Sequence, residues 1–287
     1  MTKKYIMFLV VFTITFGFSS VLRADEKKDK LVDELYTKSG FKEQLHNLPE
    51  VFNLSLNEEL ASIDKPQGML KDYYENIDRL LFKAFDVSTL DAEAKSHLNK
   101  NINVEDIGFL LHWLETPVGK KASKLEVRAS RAENVKEFTK YIKNLQSNPI
   151  PEPRVKLLEE LESHLNTLDL NVEMLMNIQL ATAVAMIYSM SSDNHQEISD
   201  IQKKIEGTRL FLQAAIEPLI IGSLDFIYHD LNDDELRILI DFYKKEKAKN
   251  ANKVFSDAFI KAVTKASYDF GQRSAEFIQN RLKQEKT

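Results

Sequence analysis

The chain has no cysteine, which removes disulfides, thiol nucleophiles and thiolate metal sites together. Only 8 glycines and 7 prolines occur in 287 residues, and the prolines fall at breaks between apolar-periodic stretches. Few segments alternate apolar and polar residues with period two, so the sequence offers no sheet. Basic charge is also short: 39 lysines and arginines face 44 acids, a net charge of −5. Nucleic-acid binders concentrate basic charge on one face, and this composition gives that class little support. A chain of this size without disulfides must hold itself together by burying apolar surface, and 43% hydrophobic residues suffice for it.

What is present begins at the head of the chain. Lys3 and Lys4 precede the apolar run from Tyr5 to Phe18, and Ser19-Ser20-Val21-Leu22-Arg23-Ala24 follows. A basic start, an apolar stretch and small or aliphatic residues at Leu22 and Ala24 match a secretory signal cut after Ala24. The run is shorter than the roughly 20 residues a membrane-spanning helix needs. No cysteine stands near the cut to be acylated. Losing Lys3, Lys4 and Arg23 takes the net charge from −5 to about −8. The expectation is an exported, periplasmic or secreted chain, with no stable membrane span after processing.

Apolar residues recur at spacings of three and four, as in Leu80, Leu81, Ala84, Phe85 and in Ile107, Leu110, Leu111, Leu114. Ser88 with Asp91, Asn103 with Asp106 and Asn232 with Glu235 mark helix starts, because a capping side chain precedes an acid by three positions. The predicted fold is all-α, a multi-helix bundle of nine or ten helices. Pro149, Pro151 and Pro153 divide it into an N-terminal half (25–147), a linker (148–153) and a C-terminal half (154–287). The halves repeat a pattern. Asn103 to Leu114 aligns with Asn232 to Tyr243 at a register of 129, and Lys30 to Leu35 aligns with Lys156 to Leu161. Two diverged helical repeats are therefore expected.

Asp106, Leu110-Leu111, Trp113-Leu114-Glu115 and Thr116-Pro117-Val118-Gly119-Lys120-Lys121 carry a recognisable motif. It resembles that of an exported bacterial helical family of unknown function, in which an acidic helix start leads to Leu-x-x-Phe-Tyr-x-Ser-Pro-x-Gly-Lys. Glu235 to Tyr243 resembles the first part of the same motif and keeps Phe242-Tyr243. There the Lys245-Glu246-Lys247-Ala248-Lys249 stretch is expected to continue the helix. Leu35 to Phe41 resembles the family's opening helix. The resemblance implies export and a helical bundle, and it brings no activity with it. Physically, Thr116-Pro117 before Gly119-Lys120 predicts a corner between two helices, with Trp113 and Phe242 at equivalent core positions.

Several constellations invite chemistry. Ser39-Gly40-Phe41-Lys42 and Ser192-Asp193-Asn194 fit two elements of the penicillin-binding set, but the third needs a strand. Asp230 to Asp234 mimics a calcium loop, yet its sixth position is Glu235 where glycine is required. Helix capping is the simpler account. The six histidines form no H-E-x-x-H, and His112 is expected at a helix–helix seam. No metal or cofactor is expected. The stretch 172–190 is the most unusual, being apolar almost all round. Met174, Met176, Met186, Tyr188 and Met190 on it are candidates for a pliable apolar groove.

The sequence therefore points to a non-enzymatic binding or scaffolding protein of the cell envelope with another protein as partner. The alternative is a carrier of a lipid or other apolar small molecule in the methionine-rich groove, and a serine hydrolase is third. Export makes a direct prediction: the intact mass and N-terminal sequence of protein recovered from its own compartment should begin at Asp25. An unprocessed Met1 start would contradict it.

Overall fold

The computed structural model describes residues 24–60, 69–190 and 195–284. Apart from Ala24, the expected signal lies outside the described residues, as does Ser192-Asp193-Asn194. Thirteen helices and no strand occur among the described residues. The first seven are α1 (Ala24–Lys38), α2 (Phe41–Leu60), α3 (Met69–Ala84), α4 (Val87–Asn101), α5 (Val104–Glu115), α6 (Pro117–Ala129) and α7 (Asn134–Asn144). Then come α8 (Glu152–Leu165), α9 (Thr167–Met190), α10 (His195–Glu206), α11 (Arg209–Tyr228), α12 (Asp233–Tyr243) and α13 (Glu246–Gln284). The bundle is all-α as expected, with more helices than the nine or ten predicted. Left-handed residues close two of the helices: Gly40, at φ +76°, follows α1, and Asn166, at φ 56°, follows α8.

Local capping explains the starts. Asn103 Oδ1 accepts from the Asp106 amide at 2.7 Å. Asn232 and Glu235 exchange hydrogen bonds at 2.9 Å in a full capping box. At α4 the cap is Asp86 rather than Ser88. Asp86 is extended and accepts from the Ser88 and Thr89 amides at 3.1 Å each, which leaves Ser88 inside the first turn.

The corner after α5 is built by the predicted residues. Thr116 Oγ1 accepts from the Gly119 amide at 3.0 Å and donates to the Trp113 carbonyl at 2.5 Å. Pro117 fills the first helical position, where its missing N–H costs nothing. A Cβ on Gly119 would lie 2.2 Å from the Trp113 carbonyl oxygen, so only glycine fits. Lys120 is exposed and pairs with Glu115. In the second half the helix does not continue through Lys245, contrary to expectation. It breaks at Lys244-Lys245, where the Lys245 carbonyl accepts from the Ala248 and Lys249 amides to start α13.

The packing runs in parallel through the two halves. Helix α1 lies against α4 and α5, and α8 against α11 and α12. Helix α6 crosses to α11 and α12, while α13 crosses to α4 and α5. One large core cluster draws on both halves, from Val32 to Ala266. At its centre Trp113 and Phe242 stack face to face, 4.3 Å between ring centroids and 8° from parallel. Phe109 also stacks on Phe242 at 5.6 Å, and Tyr243 meets it edge-on at 5.1 Å. Both Trp113 and Phe242 are buried; the predicted equivalent positions are one shared contact.

The longest helix, α13, packs along α9, α4 and α3. Its buried face is mostly small: Ala248, Ala251, Ala258, Ala262, Ala266, Ser267, Gly271, Ser274 and Ala275, with Phe255 and Phe259 between them. A Cβ on Gly271 would sit 2.4 Å from the Thr182 carbonyl oxygen of α9. The α9 and α13 backbones are in contact there.

Removing the Trp113 ring leaves a cavity against Phe242 as well as losing transfer energy. Trp113→Ala should cost about 3–5 kcal/mol in denaturant unfolding. Trp113→Phe should cost markedly less, because it keeps a ring on Phe242 and removes a buried indole N–H that has no partner. Equal losses for the two variants would remove the stack from its central role.

Candidate functional site

An open groove of about 680 Å³ runs between α9 and α13, with α4 at its edge. Asn177, Leu180, Ala181 and Val184 form one wall, at spacings that place them on one face of α9. Ile260, Thr264 and Tyr268 form the other as an i, i+4, i+8 stripe of α13, with Lys261 and Lys265 beside it. Glu93 of α4 reaches the mouth, 3.6 Å from Lys265. The walls are aliphatic and the rim is charged. The Thr264 hydroxyl is buried with no hydrogen-bond partner, an expensive state for a polar group. Nearby, burial and then the charges of Lys261, Lys253 and Lys100 hold the His97 imidazole below its ordinary range.

The methionines predicted to form a groove do not line this one. Met174 and Met176 are buried in the main core, Met186 is half-buried and Tyr188 is exposed. The Met190 side chain lies outside the described residues. Apolar residues surround α9, so periodicity could not tell its core face from its groove face; the neighbours decide. Met174 and Met176 face the core, while Leu180, Ala181 and Val184 flank α13. Both Thr167–Ser189 and Ser199–Tyr228 are long and apolar enough to cross a membrane by length and composition. In the bundle α9 packs on α13, α11 and α10. Only 33% of its apolar window is buried, which leaves a flank uncovered.

Two polar clusters escaped the sequence reading. Arg154 reaches Asp225 with its Nε and Asp233 Oδ1 with Nη1 at 3.2 Å. Nη1 also donates to the Leu231 carbonyl at 3.0 Å, and Nη2 donates to the Tyr228 carbonyl at 2.9 Å. Tyr141 donates to the other Asp225 oxygen. This clamp ties the start of α8 to the end of α11 and to α7, and breaking such a buried pair strands a charge. The second cluster is Glu126, fully buried in α6, which accepts from Tyr228 Oη at 2.8 Å and leaves Oε2 unpartnered. Burial pushes its carboxyl well above the ordinary carboxylate range, against a smaller opposing effect of the Tyr228 bond.

The other predicted constellations resolve into structure. Ser39 is buried; its hydroxyl donates to the Tyr36 carbonyl at 3.4 Å and accepts from the Phe41 amide at 3.3 Å, as a helix-start residue does. The acids of the calcium-like segment pair with Arg128, Arg154, Arg237 and Lys121. His112 is exposed rather than at a seam. It occupies the side of α5 opposite Leu110 and Leu114, and the seam belongs to Trp113. Among the described residues no group of three histidines or acids is placed to hold a metal.

No family profile, curated protein or solved structure matches the chain.

The Glu126 environment sets a sign for pH dependence. A carboxyl with a raised folded pKa keeps its proton after the unfolded chain, at about 4.3, has released its own. Its stabilising contribution is complete below that value and is lost as pH climbs toward the folded pKa. Thermal unfolding of wild type and Glu126→Gln from about pH 5 to about pH 8 should therefore show the variant gaining on wild type steadily. A pH-independent difference would mean that the folded pKa of Glu126 is not raised above its unfolded value.

Proposed function

We propose that this chain is an exported helical binding protein of the cell envelope, acting by binding and not by catalysis, with its ligand in the α4–α9–α13 groove. The groove carries the reading. At about 680 Å³ it falls in the range of roughly 300–1,000 Å³ typical of small-molecule sites, and it joins apolar walls to a few polar groups. This favours a carrier of an apolar small molecule over a protein scaffold, and it moves the site from the methionines to Leu180, Val184 and Ile260. Export rests on the basic-then-apolar head of the chain and on the motif at 106–121. Nucleic acid is no part of the reading, since the mature chain is acidic.

The framework is read as a duplication, two diverged copies folded as one bundle. Support comes from the 129-residue register, the parallel packing of α1 and α8 on their partners, and the break at Lys244-Lys245 that answers the corner at Thr116. Helix α6 has 13 residues and α13 has 39. The groove residues 260–268 lie beyond the part of α13 that corresponds to α6. At the same register that part of α13 aligns with α7, which in the first half is a separate helix, and Glu93 at the mouth comes from the first half.

Native mass spectrometry of protein purified from its own compartment should show a reproducible small-molecule adduct. Val184→Trp, which fills the groove with an indole, should lose it while keeping a cooperative thermal transition. A bare wild-type protein, or an adduct that Val184→Trp retains, would sink the groove as the site.

A further inference from the structure

Resting on that reading, we infer that the groove takes a single-chain amphiphile with an anionic head group, its apolar tail between α9 and α13 and its head at Lys261 and Lys265. Three observations converge. The walls give a tail its environment: Leu180, Ala181 and Val184 on one side and Ile260 on the other, with no charged side chain among these four. The rim gives the head its charge. Lys261 forms no ion pair among the described residues, and Lys265 meets Glu93 only at 3.6 Å with over half its side chain exposed. One cation is free and the other is loosely held, in a chain whose net charge is negative. Such an exposed pair contributes little by itself, so exchanging Glu93 for a ligand anion costs little.

The third observation sits between head and tail. The Thr264 hydroxyl is buried and unpartnered one helical turn from both Ile260 and Tyr268. Native proteins rarely leave such a group unsatisfied; Thr264 lines the groove, and a rotation of its side chain toward the groove would let a ligand oxygen at the boundary of tail and head supply the partner. A carboxylate or a phosphate offers that acceptor and also answers the lysines; a quaternary ammonium offers neither. Of the charged residues that line the groove, two are lysines and one, Glu93, is an acid. That balance of two cations to one anion is complementary to an anionic head group.

The test uses the full mature protein, stripped of any endogenous adduct, titrated calorimetrically below micelle-forming concentrations. Probes share a twelve-carbon tail: dodecanoate, dodecyl phosphate, dodecanol and dodecyltrimethylammonium. Dodecanoate and dodecyl phosphate should bind at least ten-fold tighter than the other two. Lys261→Gln combined with Lys265→Gln should abolish that preference while leaving dodecanol affinity within about two-fold and the melting temperature unchanged. Thr264→Val should weaken the two anions several-fold and leave dodecanol alone. Equal binding of all four tails, blocked by Val184→Trp, would overturn the head-group assignment and leave the groove standing. Binding of none of them, together with an adduct that Val184→Trp retains, would overturn both. A preference for the two anions that the lysine substitutions leave intact would place the head elsewhere and overturn the assignment to Lys261 and Lys265.

Discussion

The close approach of α9 and α13 is the constraint on which the rest of the molecule depends. At Gly271 the α13 backbone lies so near the Thr182 carbonyl that no Cβ fits. Such contact trades side-chain bulk for backbone proximity, and the alanines and serines along α13 extend that trade over most of its buried face. Thr182 Oγ1 donates to the Ser267 carbonyl at 3.3 Å, and Gln279 Nε2 to the Ser189 carbonyl at 2.5 Å. Those bonds fix the register of one helix on the other. With the backbones in contact on one side, the larger side chains of both helices are displaced to the flank, and the groove opens between them.

A second constraint sits at the centre of the bundle. The face-to-face stack of Trp113 on Phe242 joins the ends of α5 and α12, each followed at once by a corner. The corners send α6 and α13 across to the opposite half, so each half is completed by a helix from the other. Ion pairs follow the same crossing: Lys121 of α6 with Glu235 of α12, and Lys247 of α13 with Glu105 of α5. These are surface contacts of small individual worth. The rings and the helices they redirect supply the cohesion.

The polar clusters divide by chemistry. Arg154 spends nearly all its donors on groups that would otherwise be left unpaired in the interior, so its role is to join elements. Glu126 is different, a carboxyl kept neutral by burial with one oxygen unanswered. The groove holds a third kind, the Thr264 hydroxyl, buried beside open space that a ligand can enter. Only this last combination of an unsatisfied group, an accessible cavity and an uncommitted cation points outward from the protein.

How much of this was legible in the sequence follows from the range of each interaction. Helix starts at Asn103 and Asn232 and the corner at Thr116-Pro117-Gly119 are made by residues within a few positions of one another, so residue type and spacing determined them. The all-α class followed from periodicity, which every turn of an amphipathic helix repeats. The break at Lys244-Lys245 carries no proline or glycine and was missed, because no local residue type marks it. The groove was missed for the same reason. Glu93, Val184 and Thr264 are about ninety and eighty positions apart along the chain. On a helix as apolar as α9, the sequence led to the expectation of burial on most sides, whereas only 33% of its apolar window is buried. The sequence could not say which face meets the core and which lines the groove. That choice belongs to the tertiary structure, since it turns on where Gly271 lets α13 touch α9.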